Sequence, residues 1–181
     1  MPDVARKAAL FALGLWIMGT VCVSVVAAQN FYTIDRLIAA QTPPAFAQAV
    51  ATLGATETRQ VLRYVASELN RLFFQYWNYA QLPLGTIVLW LAIRLPDNRR
   101  EAWLIGGMLL IVLFLTTVVT PPIIAIGRAI DFVSRNPPPP SLRTFGTLHA
   151  TFTSLELTKA ALGVWVAYRL SRPGPAPPRR G

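Results

Sequence analysis

The chain has 181 residues, of which 54% are hydrophobic and 14% charged, with a formal net charge of +9. This composition is too apolar for an ordinary soluble domain and points to one compact membrane domain. The arginines stand at the ends of apolar runs and in the tails, where lipid headgroups meet them, so the positive charge is not read as a nucleic-acid footprint.

Arg6 and Lys7 precede an uncharged run over residues 8–28. A signal-peptide core is about 7–15 residues long, so this longer run reads as a first transmembrane helix even though Ala27-Ala28 imitates a cleavage site. Cys22, the only cysteine, lies inside it, which excludes an intrachain disulfide and reads as a small core residue. An amphipathic continuation carries Phe31, Ile34 and Ile38 on one face, and Thr42-Pro43-Pro44 ends it. Residues 45–55 are mildly apolar and too short to span.

From about Glu57 to Ile93 the helical pattern is unbroken. At about 1.5 Å per residue such a rod is roughly 55 Å long, well beyond a hydrocarbon core of about 30 Å. Residues 72–93 are therefore taken as the second span and 57–71 as a projecting extension. Helical spacing puts Arg63, Ser67, Asn70, Arg71, Gln75, Asn78 and Gln81 on one polar stripe, and a polar stripe entering lipid needs a protein partner. Pro83 frees the carbonyl of Tyr79, so a kink is expected there, with Asn78 and Gln81 near enough to help satisfy it.

A short link over residues 94–101 leads to the third span, 102–120. Gly106-Gly107 is expected to admit a neighbouring backbone, and Thr120-Pro121-Pro122 to kink or end the helix. Residues 123–133 read as a further amphipathic turn or two at the surface. Asn136 and the prolines 137–140 then make a stiff spacer. In the fourth span, 145–168, His149, Thr153, Glu156 and Ala160 share one face, with Lys159 beside Glu156. An unpaired charge at mid-span costs about 2.5–3.5 kcal/mol, so this pair is expected to face protein. The domain thus covers residues 1–170, and the proline- and arginine-rich tail 171–181 reads as disordered.

With four spans, nine basic residues fall on the side of the termini and seven on the other, over longer connections. The charge density places both termini in the cytoplasm. Trp90, Trp103, Trp165 and Tyr168 then form one aromatic belt, and Tyr76, Trp77 and Tyr79 the other. The expected fold is an all-α integral membrane protein, a four-helix transmembrane bundle with helical extensions on its second helix and its first.

Three stretches carry a resemblance: Gly14-Leu-Trp-Ile-Met-Gly19 in the first helix, Ser67-Glu-Leu-Asn-Arg-Leu-Phe-Phe74 with residues 76–85, and Phe145-Gly-Thr-Leu-His149. In these the chain resembles a bacterial family of four-span membrane proteins of unknown function, distantly similar to eukaryotic transmembrane protein 205. The resemblance implies a four-helix bundle, with no established reaction or cofactor. The projecting helix, the tetraproline and the basic tail do not match it.

No phosphate-binding loop and no nucleophile in a recognisable setting is present, so no enzyme is expected. His149 is the only histidine, which excludes a bis-histidine haem within one chain; no cluster of zinc ligands is evident either. It reads either as a histidine hydrogen-bonded inside the helices or as one ligand to a haem or a chlorophyll-type pigment. Glu68, Arg71, Gln75, Asn78, Gln81, Glu156 and Lys159 form the expected polar seam between the second and fourth spans. That seam is either a buried ion-pair network fixing helix register or a proton or ion path. The leading expectation is a non-enzymatic structural or accessory subunit in the bacterial cytoplasmic membrane. Its expected partners are lipids and other membrane subunits, or itself; the alternatives are a small transporter or channel, and a subunit holding a pigment or haem through His149.

Overall fold

The computed structural model describes residues 2–40, 43–95, 99–134 and 136–172. Thr42, residues 96–98 of the second link, Arg135 and the tail from residue 173, with Arg179 and Arg180, lie outside the described residues, so the expected disorder of the tail has no bearing here. Every regular element among the described residues is helical: α1 (Pro2–Ala39), α2 (Pro44–Leu53), α3 (Ala55–Ile93), α4 (Arg99–Phe114), a π-helical turn (Leu115–Val119), α5 (Thr120–Ile130) and α6 (Ser141–Ser171). Two stretches, Asp3–Ala39 and Arg99–Ile130, are long and apolar enough to cross a membrane. α3 and α6 are as long as a span requires, but both carry the polar stripes noted above.

The elements pack antiparallel in a register that specific pairs fix from end to end. Between α1 and α3, Arg59 meets Asp35 at 2.8 Å, Asn30 meets Asn70 at 2.7 Å and Trp16 meets Gln81 at 2.8 Å. Between α4 and α6, Glu101 meets Arg169 at 3.0 Å at one end. Leu115 and Val119 pack on Phe152 at the other. The Arg6 guanidinium donates to the Leu170 carbonyl, which brings the start of α1 to the end of α6. The apolar core lies toward that end, where Leu13, Trp16, Val88, Ile105, Met108 and Val166 are almost fully buried.

Of the two outcomes expected at Thr120-Pro121-Pro122, a kink or an end, the end does not occur: the helix runs on to Ile130. Pro121 and Pro122 directly follow the π turn Leu115–Val119, whose shifted hydrogen bonding is the local offset by which the helix passes two residues without an N–H. Residues 123–130 therefore continue the same helix. Residues 45–53, which no span length predicted, belong to α2, none of whose residues is buried. Gly54, at φ 95°, makes the turn between α2 and α3; its N–H closes on the Val50 carbonyl.

Close helix approach uses glycines other than Gly106 and Gly107, beside which a side chain would meet open space. At Gly85 a Cβ would come within 2.6 Å of the Trp16 ring, and at Gly19 within 2.0 Å of the Trp77 ring. Trp77 is consequently half-buried against α1, donating to the Thr20 hydroxyl at 3.2 Å, rather than forming part of an outer belt. Tyr76, Tyr79, Trp90, Trp103, Trp165 and Tyr168 are exposed as a belt requires. Cys22 is also exposed, not a core residue, because it lies on the outer face of α1 with Leu15, Met18 and Val25.

Candidate functional site

The most distinctive chemistry is a chain of polar side chains through the middle of the packed helices. Lys159 and Glu156, three apart on α6, face inward together; the ammonium contacts both carboxylate oxygens at 2.7 Å. Their side chains are 2% and 10% exposed. Gln81 of α3 reaches the same ammonium through its carbonyl oxygen, which also accepts the Trp16 indole N–H at 2.8 Å. The Gln81 amide donates to Asn78 at 3.5 Å, and Asn78 donates to the Thr120 hydroxyl at 2.9 Å. Four helices thus contribute to one network, where the sequence pointed only to the second and fourth. Among the described residues no buried side-chain nitrogen or oxygen is left without a partner. A network satisfied in this way rigidifies and specifies a packing arrangement, whereas one with a missing member is costly in the same low dielectric.

A second cluster lies where α3 and α5 leave the core. Arg71 donates to both oxygens of Asp131, at 2.8 and 3.0 Å, and to Glu68 at 2.6 Å. Arg128 grips Glu68 with two more bonds, at 3.0 and 2.8 Å. Hydrogen bonding from Arg128 first, then from Arg71, holds the Glu68 carboxyl down at about 2 against the opposing effect of burial. Gly127 is small for a reason here, since a Cβ would meet the Arg71 guanidinium at 2.9 Å.

The expected seam is therefore partly assembled as read. Glu156 pairs with Lys159, Glu68 with Arg71, and Gln81 and Asn78 join the first of these pairs. Gln75 is half-buried and takes no part in the network. Asn78 and Gln81 do not turn to the carbonyl freed by Pro83; both amides point inward to Thr120, Trp16 and Lys159, where unpaired polar groups would cost more. His149 is exposed rather than hydrogen-bonded inside, and its ring stacks on Phe145 at 5.9 Å between centroids. It lines a lateral groove between α1 and α6 with Thr153, Glu156 and Ala160, the face predicted from helical spacing. No group of three or more histidine, cysteine or acidic side chains suited to a metal occurs among the described residues.

Sequence reasoning missed Trp16, Thr120, Arg128, Asp131, Asn30 and Glu101. Trp16 did carry a signal: a tryptophan in the middle of an apolar run, away from either interface, needs an acceptor for its indole N–H. Asp131 carried none, because it stands 60 residues from Arg71 in a stretch that read as surface turns.

No protein family, curated protein or solved structure matches this chain.

Proposed function

We propose that the chain is a four-span integral membrane protein of the bacterial cytoplasmic membrane, a transmembrane bundle of α1, α3, α4 to α5, and α6 with both termini in the cytoplasm. Its role is that of a non-enzymatic structural or accessory subunit, packing against other membrane subunits or against itself. The observation that carries this reading is the large apolar surface that the packed helices leave exposed, while Glu156, Lys159, Asn78 and Gln81 are buried among them. Only 28% of the most apolar stretch of each of the two apolar helices is buried. On the less apolar helices, Ile87, Trp90 and Ile93 of α3 and Leu157, Val164 and Trp165 of α6 are exposed. In water these surfaces would drive aggregation; in lipid they cost nothing, and the polar groups have to find partners inside.

The accessory role is supported by what the interior chemistry is committed to. The ammonium of the Glu156–Lys159 pair is engaged by Gln81, which is itself held by Trp16 and by Asn78, and Asn78 in turn by Thr120, so the pair holds helices in register. Purification in mild detergent tests the role. Stoichiometric co-purifying membrane subunits are expected, and the preparation is expected to be colourless. A bound chromophore lost in His149→Ala would move the pigment or haem reading to first place. A self-oligomer that conducts ions in liposomes would do the same for the transporter.

A further inference from the structure

Three cavities follow one another from the outer ends of α3 and α5 to the side of the molecule. The first, of about 560 Å3, is the most polar and is lined by Arg63, Arg71 and Asp131 among others. A narrow throat of about 120 Å3 follows, walled by Phe31, Phe74, Phe145 and Phe152. The third, of about 470 Å3, is the groove between α1 and α6 that opens sideways. Phe31 lines all three. The throat shares Arg71 and Phe145 with the first, and Phe74, His149 and Phe152 with the groove.

The run is amphipathic along its length. Arg71 and Arg128 are matched by Glu68 and Asp131, so these four charges cancel. Arg63 has no carboxylate partner among the described residues; its guanidinium lies over the Phe31 ring, 5.6 Å from the centroid, at the mouth of the throat. One surplus cation therefore stands where the polar chamber narrows into an aromatic and aliphatic passage. The groove runs along α1 from Thr20 to Phe31, which at about 1.5 Å per residue is roughly 16 Å. That length is close to half of a hydrocarbon core of about 30 Å, the depth of one leaflet.

We propose that this passage is a binding site for an anionic membrane phospholipid of the leaflet opposite the termini. The headgroup sits against Arg63 and one acyl chain passes between the phenylalanines into the groove beside α6. The proposal rests on the membrane reading above. Charge complementarity selects the headgroup, since a guanidinium presents a donor fork suited to phosphate. The groove selects an acyl chain over a polar ligand.

Native mass spectrometry of the full chain released from detergent, titrated with phosphatidylglycerol or with phosphatidylcholine of the same acyl chains, tests it. Phosphatidylglycerol is expected to bind at least about tenfold more tightly, the scale of one hydrogen bond to a charged group. Arg63→Gln, at an exposed position that should not disturb folding, is expected to abolish that preference. Thr153→Trp, at the exposed rim of the groove, should weaken both lipids by blocking the tail. Equal binding of the two lipids by the unaltered chain would overturn the site and leave the membrane reading intact. Persistence of the preference in Arg63→Gln, or unchanged affinity in Thr153→Trp, would do so too. A chain that stays dispersed in buffer without detergent would remove the membrane reading and the site together.

Discussion

Lys159→Met alone is expected to abolish most accumulation of the protein in membranes, and Glu156→Gln alone to do nearly as much. The first leaves a carboxylate at the centre of the helices without a cation, and the second leaves an ammonium without an anion. Breaking a buried pair from one side typically costs about 3–5 kcal/mol, which is much of the stability of a small domain. The double variant Glu156→Gln, Lys159→Met removes both charges and leaves the Gln81 carbonyl still bonded to the Trp16 indole. It is expected to recover most of the accumulation, because a buried pair is often worth little against neutral groups of similar size. Quantitative blotting of membrane fractions against a co-expressed standard separates these outcomes. A transporter predicts the opposite division, a double variant that accumulates and is inert in flux. If either single variant accumulates normally, the pair is solvated and the register-fixing account of the seam is wrong.

Arg71→Met is expected to have the next largest effect, because one guanidinium serves two carboxylates. Its loss leaves Asp131, whose side chain is only 11% exposed, without its two-point partner, at a cost of about 3 kcal/mol, the lower end for a buried pair at a site that water partly reaches. Arg71→Met with Asp131→Asn should recover part of this, since Glu68 keeps Arg128. The same cluster makes stability depend on pH in a known sense. Glu68 lies outside the proposed spans and its carboxyl is held at about 2, below the ordinary value of 4.5. Its contribution is therefore complete above about pH 4.5 and is lost as pH falls toward 2. Melting curves in detergent between pH 6 and 3 should show a decline in the unaltered chain that is shallower in Glu68→Gln. A steeper decline in Glu68→Gln would contradict the assignment.

The sequence was most legible where a local rule had one answer. The long apolar run after Lys7, the unbroken periodicity from Glu57 and the three-residue spacing of Glu156 and Lys159 each required only neighbours along one helix. The positions of Gln81 and Asn78 on the inner face followed in the same way. What was not legible was which distant group each polar side chain meets. Gln81 stands 78 residues from Lys159, and Arg71 stands 60 from Asp131; periodicity states that a partner is needed and says nothing of its identity.

Pro121 and Pro122 left a kink and an end both open because proline rules describe an isolated helix, and the π turn at Leu115–Val119, past which the helix continues, is a property of the packed one. Gly106 and Gly107 misled for a related reason. Two glycines in an apolar helix suggest close contact, yet the contacts fall on Gly19 and Gly85, where a tryptophan ring from the opposing helix fills the space. Cys22 and Trp77 exchanged the environments expected of them, and the rotation of α1 about its axis decides both. Trp77 lies against Gly19 and Thr20, and the same rotation turns Cys22 outward.

The four-span arrangement with both termini in the cytoplasm is tested most directly by single-cysteine labelling in intact cells, on a chain in which Cys22 is first replaced by alanine. Ser171, at the end of α6, and Ser141, at its start, are each changed to cysteine and probed with a membrane-impermeant maleimide before and after permeabilisation. The account predicts that Ser141→Cys reacts in intact cells and that Ser171→Cys reacts only after the membrane is opened. Labelling of both sites from the same side would contradict a membrane-crossing α6 and leave it lying along the surface.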